Sequence, residues 1–241
     1  MPFTFSHPAL VLPLSYLPKR WFSLTGLVIG SLTPDFEYFL RMRMQSNYSH
    51  TIGGLFWFDL PLGILLAFIF HNLVRNSLFD NLPLILKSRL IKHKLFDWNN
   101  YFKSNWWVVA ISVLIGAASH LFWDSFTHER GYFVHTISAL DGTVDIFGVQ
   151  ITTSKMLQHS STLIGGIIVI YALFKLSPDK NITGSISIRY WAMIATLTLT
   201  IIIIRLLSGL NYKLYGHFIA TAISAVLISL ILVPLLITKK K

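Results

Sequence analysis

Ser119-His120-Leu121-Phe122-Trp123-Asp124-Ser125-Phe126-Thr127-His128 places a histidine four residues to either side of an aspartate. On an α-helix, residues four apart share a face, so His120, Asp124 and His128 form one stripe. Imidazole and carboxylate are the ligands that hold Zn²⁺, Fe²⁺ or Mn²⁺ where thiolate is lacking, and the chain has no cysteine. The stripe falls where an apolar run ends. An unpaired carboxylate is costly to bury there, and a bound cation would offset that cost. A hydrogen-bonded polar seam between helices is the competing reading; three ligand-type groups on one face favour a metal.

Other candidates stand elsewhere in the chain. Asp35 lies in Gly30-Ser31-Leu32-Thr33-Pro34-Asp35-Phe36-Glu37-Tyr38, where Pro34 can open a helix and Asp35 would occupy its first turn. Taken alone, Asp35 reads as a helix-start residue. His50 follows after 14 intervening residues, in a polar turn just before an apolar run. His7 precedes Pro8, which predicts extended backbone that either aims the imidazole into a pocket or leaves it exposed beside a capping Ser6. His159, in Leu157-Gln158-His159-Ser160-Ser161, also directly precedes an apolar run. Glu37 and Asp145 are the candidates for a general base. No phosphate-cradling, dinucleotide-binding, nucleophile-elbow or H-E-x-x-H motif is found.

These residues must be positioned by elements that suit a bilayer. Of 241 residues, 54% are hydrophobic and 12% are charged, and the mean hydropathy is +0.61. Soluble domains carry about 25% charged residues, so a soluble enzyme and a disordered regulator are both excluded. Five apolar runs predict membrane-crossing helices: Leu55–Leu73, Trp106–Trp123, Leu163–Leu176, Tyr190–Leu207 and Phe218–Ile237. The third is short and is expected to begin nearer Ser160. Residues 3–40 read as two short helices packed on the bundle. The expected fold is therefore all-α: a polytopic membrane helix bundle of five or six transmembrane helices, forming one domain over 1–241. The N-terminus lacks a basic n-region, and Pro8 and Pro13 break its apolar stretch, so no cleavable signal peptide is expected.

The net charge of +10 follows from bases flanking spans and calls for no nucleic-acid partner. Arg75, Lys87, Arg89, Lys92, Lys94 and Lys103 crowd the loop Asn72–Asn105, Lys180 and Arg189 the loop Ser177–Arg189, and Lys239-Lys240-Lys241 the tail. The positive-inside rule puts all three in the cytoplasm, with the histidine-rich end on the outer side.

Met1-Pro2-Phe3-Thr4-Phe5-Ser6-His7-Pro8, the Gly30–Tyr38 motif, Ser49-His50, Asp59-Leu60-Pro61-Leu62-Gly63, Ser119–His128 and Gln158-His159-Ser160-Ser161 together resemble the bacterial membrane family DUF4184. The resemblance covers residues 1–165, and 166–241 adds further spans. The order His7, Asp35, His50, His120-x-x-x-Asp124 is more distantly similar to zinc-dependent phospholipase C, the P1-type nucleases and YdjM-type membrane-bound metal-dependent hydrolases. That resemblance implies that Asp35, His50, His120 and Asp124 hold a first zinc, and that Asp124 and His7 contact another. The chain lacks the phospholipase pattern's N-terminal Trp ligand and its H-x-x-x-E pair, which implies one or two metals rather than three.

The expected activity is metal-dependent hydrolysis of a phosphoester on a lipid or lipid-linked substrate. Membrane lipids are the expected partners, and a bacterial inner membrane the expected location. The alternative is a non-catalytic membrane protein that transports a divalent cation or uses one structurally. His128 is expected at the mouth of the site and His159 to approach from the next span.

Overall fold

A chain that crosses a bilayer must satisfy its backbone polar groups internally, which favours helices. The computed structural model of the protein is 77% helical with almost no strand. It describes residues 3–18, 20–129, 131–184, 186–210 and 214–237. Met1-Pro2 of the N-terminal motif and the basic tail Lys239–Lys241 lie outside the described residues.

The long helices are α1 (Leu24–Arg41), α2 (Ile52–Asn81), α3 (Trp98–Thr127), α4 (Thr153–Lys175), α5 (Ile188–Leu207) and α6 (Tyr215–Ile237). Among the described residues, five helices, α2 to α6, are long and apolar enough to cross a membrane. Residues 3–40 do not form two short helices. Short turns at Thr4–Ser6, Pro8–Val11 and Leu12–Tyr16 precede α1, an 18-residue helix with Pro34 inside it. α4 begins at Thr153, earlier than its apolar run. The chain divides into two compact units, one comprising Met1–Pro34, Tyr48–Ile64 and Asn105–Ala172, the other Asp35–Asn47, Leu65–Ser104 and Leu173–Lys241.

In the first unit, α1 crosses α3 at backbone contact. A methyl group at Gly30 would sit 2.2 Å from the Val113 carbonyl oxygen, and one at Gly116 would sit 2.4 Å from that of Leu27. Gly26 meets Val109 and Ser112 in the same way. Gly26-x-x-x-Gly30 thus acts as a small-residue crossing surface of the kind that membrane helices use. The Ser23 N–H donates to Ser112 Oγ at 2.8 Å beside it. The N-terminal turns are strapped to α4: the Phe3 N–H donates to Thr162 Oγ1, Ser6 Oγ–H donates to the Thr162 carbonyl, and Gly165 leaves room for the Ser6 backbone. Between α3 and α4 the chain forms a hairpin of β1 (Thr143–Ile146) and β2 (Val149–Thr152), antiparallel with Ile146 opposite Val149. Phe147 and Gly148 both have positive φ, at 53° and 83°, as a two-residue hairpin turn requires.

In the second unit, α5 packs on α6 around Tyr190, Ile194 and Val233. Hydroxyls link neighbouring segments: Thr198 Oγ1 to Ser229 Oγ, Ser224 Oγ to the Phe39 carbonyl and Thr221 Oγ1 to the Met42 carbonyl. Arg75 is not the loop base that its place among the basic residues predicts. α2 continues to Asn81, and the buried Arg75 guanidinium donates to the carbonyls of Phe96 and Lys94 and to His71 Nδ1. The His71 ring stacks on Trp98 with centroids 4.6 Å apart.

Candidate metal centre

Helix α3 carries His120 and Asp124 on one face, with His120 Nε2 3.3 Å from Asp124 Oδ2. From the turn before α2, His50 Nε2 approaches the same oxygen at 3.6 Å. From the N-terminal segment, His7 Nε2 reaches the other oxygen, Oδ1, at 3.7 Å. His128 follows the last residue of α3 and folds back, its Nδ1 3.0 Å from the Asp124 backbone carbonyl and 3.6 Å from Oδ2. Four imidazoles thus surround one carboxylate.

Each ring is held by its own local structure. His120 Nδ1 donates to the Ser31 carbonyl at 2.7 Å. Pro34 lies three residues beyond Ser31 in α1: it has no N–H for the Gly30 carbonyl, and its ring crowds the preceding turn, in which the Ser31 carbonyl lies beside His120. His7 stacks on His120 with ring centroids 3.6 Å apart and planes 13° from parallel. Its backbone is helical, with φ −59° and ψ −34°, not extended as Pro8 predicts. His7 both closes the Thr4–Ser6 turn, through its N–H to the Thr4 carbonyl, and opens the Pro8–Val11 helix; these two bonded turns override the local preference. His50 Nδ1 contacts Ser49 Oγ at 3.0 Å, while Thr51 caps the next helix through Gly54.

The spacing around Asp124 is informative. Among the described residues, neither of its oxygens has a partner at ordinary hydrogen-bond geometry, although the side chain is only 7% exposed. Two ligand atoms sharing a tetrahedral zinc, each about 2.0–2.2 Å from it, lie about 3.4 Å apart. The Nε2–O separations of 3.3, 3.6 and 3.7 Å fit that edge better than a direct hydrogen bond. A carbonyl has no proton to give, so Nδ1 of His120 carries one, and a neutral ring would turn its Nε2 lone pair toward the carboxylate. That arrangement is repulsive unless a cation or a proton lies between. A metal-bound histidine that donates its other N–H to a backbone carbonyl has the same arrangement. The ligand atoms of His50, His120 and Asp124 all lie within 4.8 Å of one another, as do those of His7 and His120. The donor set and its burial fit a divalent cation.

The remaining candidates are placed as follows. Asp35 does not start a helix. It is a fully buried residue in the middle of α1, on the unbroken helix that carries Ser31 and one turn beyond it. Glu37 is buried and committed to its own surroundings: it accepts from Arg41 Nε at 2.8 Å, from Ser46 Oγ and from the Asn47 N–H. Asp145 is exposed in β1 and ties its hairpin, accepting from the Gly148 N–H and Gln150 Nε2. Neither belongs to a metal-capable group among the described residues. His159 is exposed and is not brought to the cluster, because Thr162 and Gly165 turn a different face of α4 to the N-terminal segment. The Ser31 carbonyl and the glycine crossing were not anticipated. The first carries no side-chain signal, whereas the Gly26–Gly30 spacing does.

A family model described as a domain of unknown function (DUF4184) matches residues 1–235. The chain belongs to the DUF4184 family. The match extends beyond residue 165, where the motifs end, through nearly all of α6. No curated protein and no solved structure matches the chain. This DUF4184 protein is thus a membrane-type helical protein with His and Asp side chains grouped so that they could hold a metal ion.

Proposed function

We propose that the chain is a membrane-embedded, metal-dependent phosphoester hydrolase whose cation is held by His7, His50, His120 and Asp124. The observation that carries this reading is the ring of three Nε2 atoms at 3.3–3.7 Å around the buried Asp124 carboxylate. Imidazole and carboxylate without thiolate suit zinc. When bound, such an ion polarises a phosphoryl oxygen and makes water acidic enough to supply a nucleophile near neutral pH. The chain's own part is to hold the rings: the Ser31 carbonyl sets the tautomer of His120, and the stack of His7 on His120 limits rotation of both. His128, at the partly open rim with its Nδ1 committed to a carbonyl, is assigned to orient the substrate phosphate. Glu37 and Asp145 are not carried forward as bases.

The order of these residues, which resembles that of zinc phospholipases, supports phosphoester chemistry, and the apolar spans support a lipid or lipid-linked substrate. The positive-inside pattern supports an outward-facing site in a bacterial inner membrane with a cytoplasmic C-terminus. The experiment is metal analysis of the full chain purified in detergent, with hydrolysis of a panel of phospholipid and polyprenyl phosphoesters followed with and without chelator. Stoichiometric zinc and chelator-sensitive hydrolysis are expected. A chain without a transition metal, whose stability ignores chelator, overturns the reading. Stoichiometric metal with no hydrolysis reduces the site to a structural pin.

A further inference from the structure

A cavity of about 230 Å³ lies in the first unit against the N-terminal segment and α4. It is polar where Ser6, His7 and Ser160 line it, and apolar where Leu10, Ile164 and Ile168 do. The eight steps from Ser160 to Ile168 rise about 12 Å along α4, so its wall runs from a hydroxyl-bearing stretch into the apolar body of a span. Leu10, Ile164 and Ile168 are 41%, 57% and 41% exposed, so the apolar wall continues onto the outer surface of the protein. On a helix that crosses a bilayer, that surface faces lipid.

Water is a poor occupant, since a molecule in an apolar cavity lacks the two to four partners it needs. Dry apolar cavities as small as about 150 Å³ take up benzene, so this one has room for a stretch of hydrocarbon chain. The chain would enter sideways from the bilayer. His7 makes the polar end chemically specific: its ring lines the cavity and its Nε2 faces Asp124 at 3.7 Å.

We propose that this cavity seats one acyl chain of a membrane glycerophospholipid, with the headgroup phosphate at the His7 end. As the seat of a substrate it rests on the metal reading; as a lipid site it stands without it. Ala9 and Trp123 also line the cavity, and Ala9 is small enough that a larger side chain there fills the space.

The test uses the full chain reconstituted into phosphatidylethanolamine–phosphatidylglycerol vesicles, re-extracted in detergent and washed. Retained lipid and bound metal are then both quantified by mass spectrometry. The wild-type chain is expected to keep about one phospholipid per protein, in keeping with a single small-molecule pocket. Ala9→Phe should lower retention about tenfold with metal content unchanged. Ile168→Phe fills the cavity from the α4 side and serves if Ala9→Phe does not fold. His120→Ala should lose metal and keep lipid. Equal retention in the filled variants, no retention by the wild-type chain, or a polyprenyl phosphate in place of the phospholipid overturns the proposal. A metal-free chain that keeps phospholipid and loses it in Ala9→Phe leaves the lipid seat standing and removes the hydrolase.

Discussion

His120 Nε2 faces Asp124 Oδ2 across 3.3 Å while the opposite edge of its ring is held by the Ser31 carbonyl at 2.7 Å. A backbone oxygen on α1 thereby decides what a side chain on α3 can do. The same nitrogen–oxygen pair, without the carbonyl, would be an ordinary His–Asp contact. With it, the ring offers a lone pair to an anion, and a shared cation becomes the economical way to satisfy both.

Replacing Asp124 by Asn tests that relationship with little change of shape. The variant should bind zinc at least about tenfold more weakly. Chelator should lower the melting temperature of the wild-type chain but leave that of the variant unchanged, because the metal's contribution to stability has already gone. Metal analysis and thermal unfolding in detergent check both halves. An Asn variant with full metal occupancy removes Asp124 from the ligand set.

Pro34→Ala separates helix stability from site geometry. Alanine restores an N–H for the Gly30 carbonyl and relieves the ring clash in α1. The helix should gain stability, while the turn that carries Ser31 straightens and shifts its carbonyl relative to His120. The expected outcome is unchanged or higher thermal stability together with weaker metal binding. A variant that loses both stability and metal would show Pro34 to be a packing residue only.

The stripe His120–Asp124–His128 was legible because helical spacing survives in an apolar span. The five spans were legible from length and hydropathy. What eluded the sequence is phase and backbone. α4 is apolar on most of its circumference, so nothing in its pattern says whether His159 or Gln158 faces inward; the bonds from Phe3 and Ser6 to Thr162 decide it. The helical backbone of His7 depends on two adjoining turns rather than on Pro8, and the role of Ser31 belongs to its carbonyl rather than its hydroxyl.

Glu37 offers a contrast between a base and a clamp. It accepts bonds from Arg41, Ser46 and the Asn47 backbone, so it fastens the chain that follows α1. Glu37→Ala should destabilise the protein by about 1–3 kcal/mol, because its donors lose their acceptor while the part-exposed Arg41 can turn to solvent. Glu37→Gln keeps part of the hydrogen bonding and should cost less. Both variants, where folded, should keep their metal. A Gln variant of normal stability that abolishes hydrolysis would return Glu37 to the catalytic candidates.

The glycine crossing should be the least forgiving feature of the first unit. A methyl group at Gly30 would lie 2.2 Å from the Val113 carbonyl, a distance that no rotamer change relieves because backbone stands on the far side. Gly30→Ala must therefore push α1 away from α3, with an expected cost of about 1–3 kcal/mol or more. The same displacement lengthens the Ser31–His120 bond, so metal affinity should fall even in conditions where the protein stays folded. Gly53→Ala is the control. Its new methyl group would meet nothing within 4 Å, and it lies in the first turn of α2, where alanine is the better helix former. That substitution should be neutral or stabilising by up to about 1 kcal/mol, with metal binding intact. Thermal unfolding and zinc titration of the two variants side by side give the comparison. If Gly30→Ala matches Gly53→Ala in both measurements, the close α1–α3 crossing does not position His120, and the link from Ser31 to the metal site fails with it.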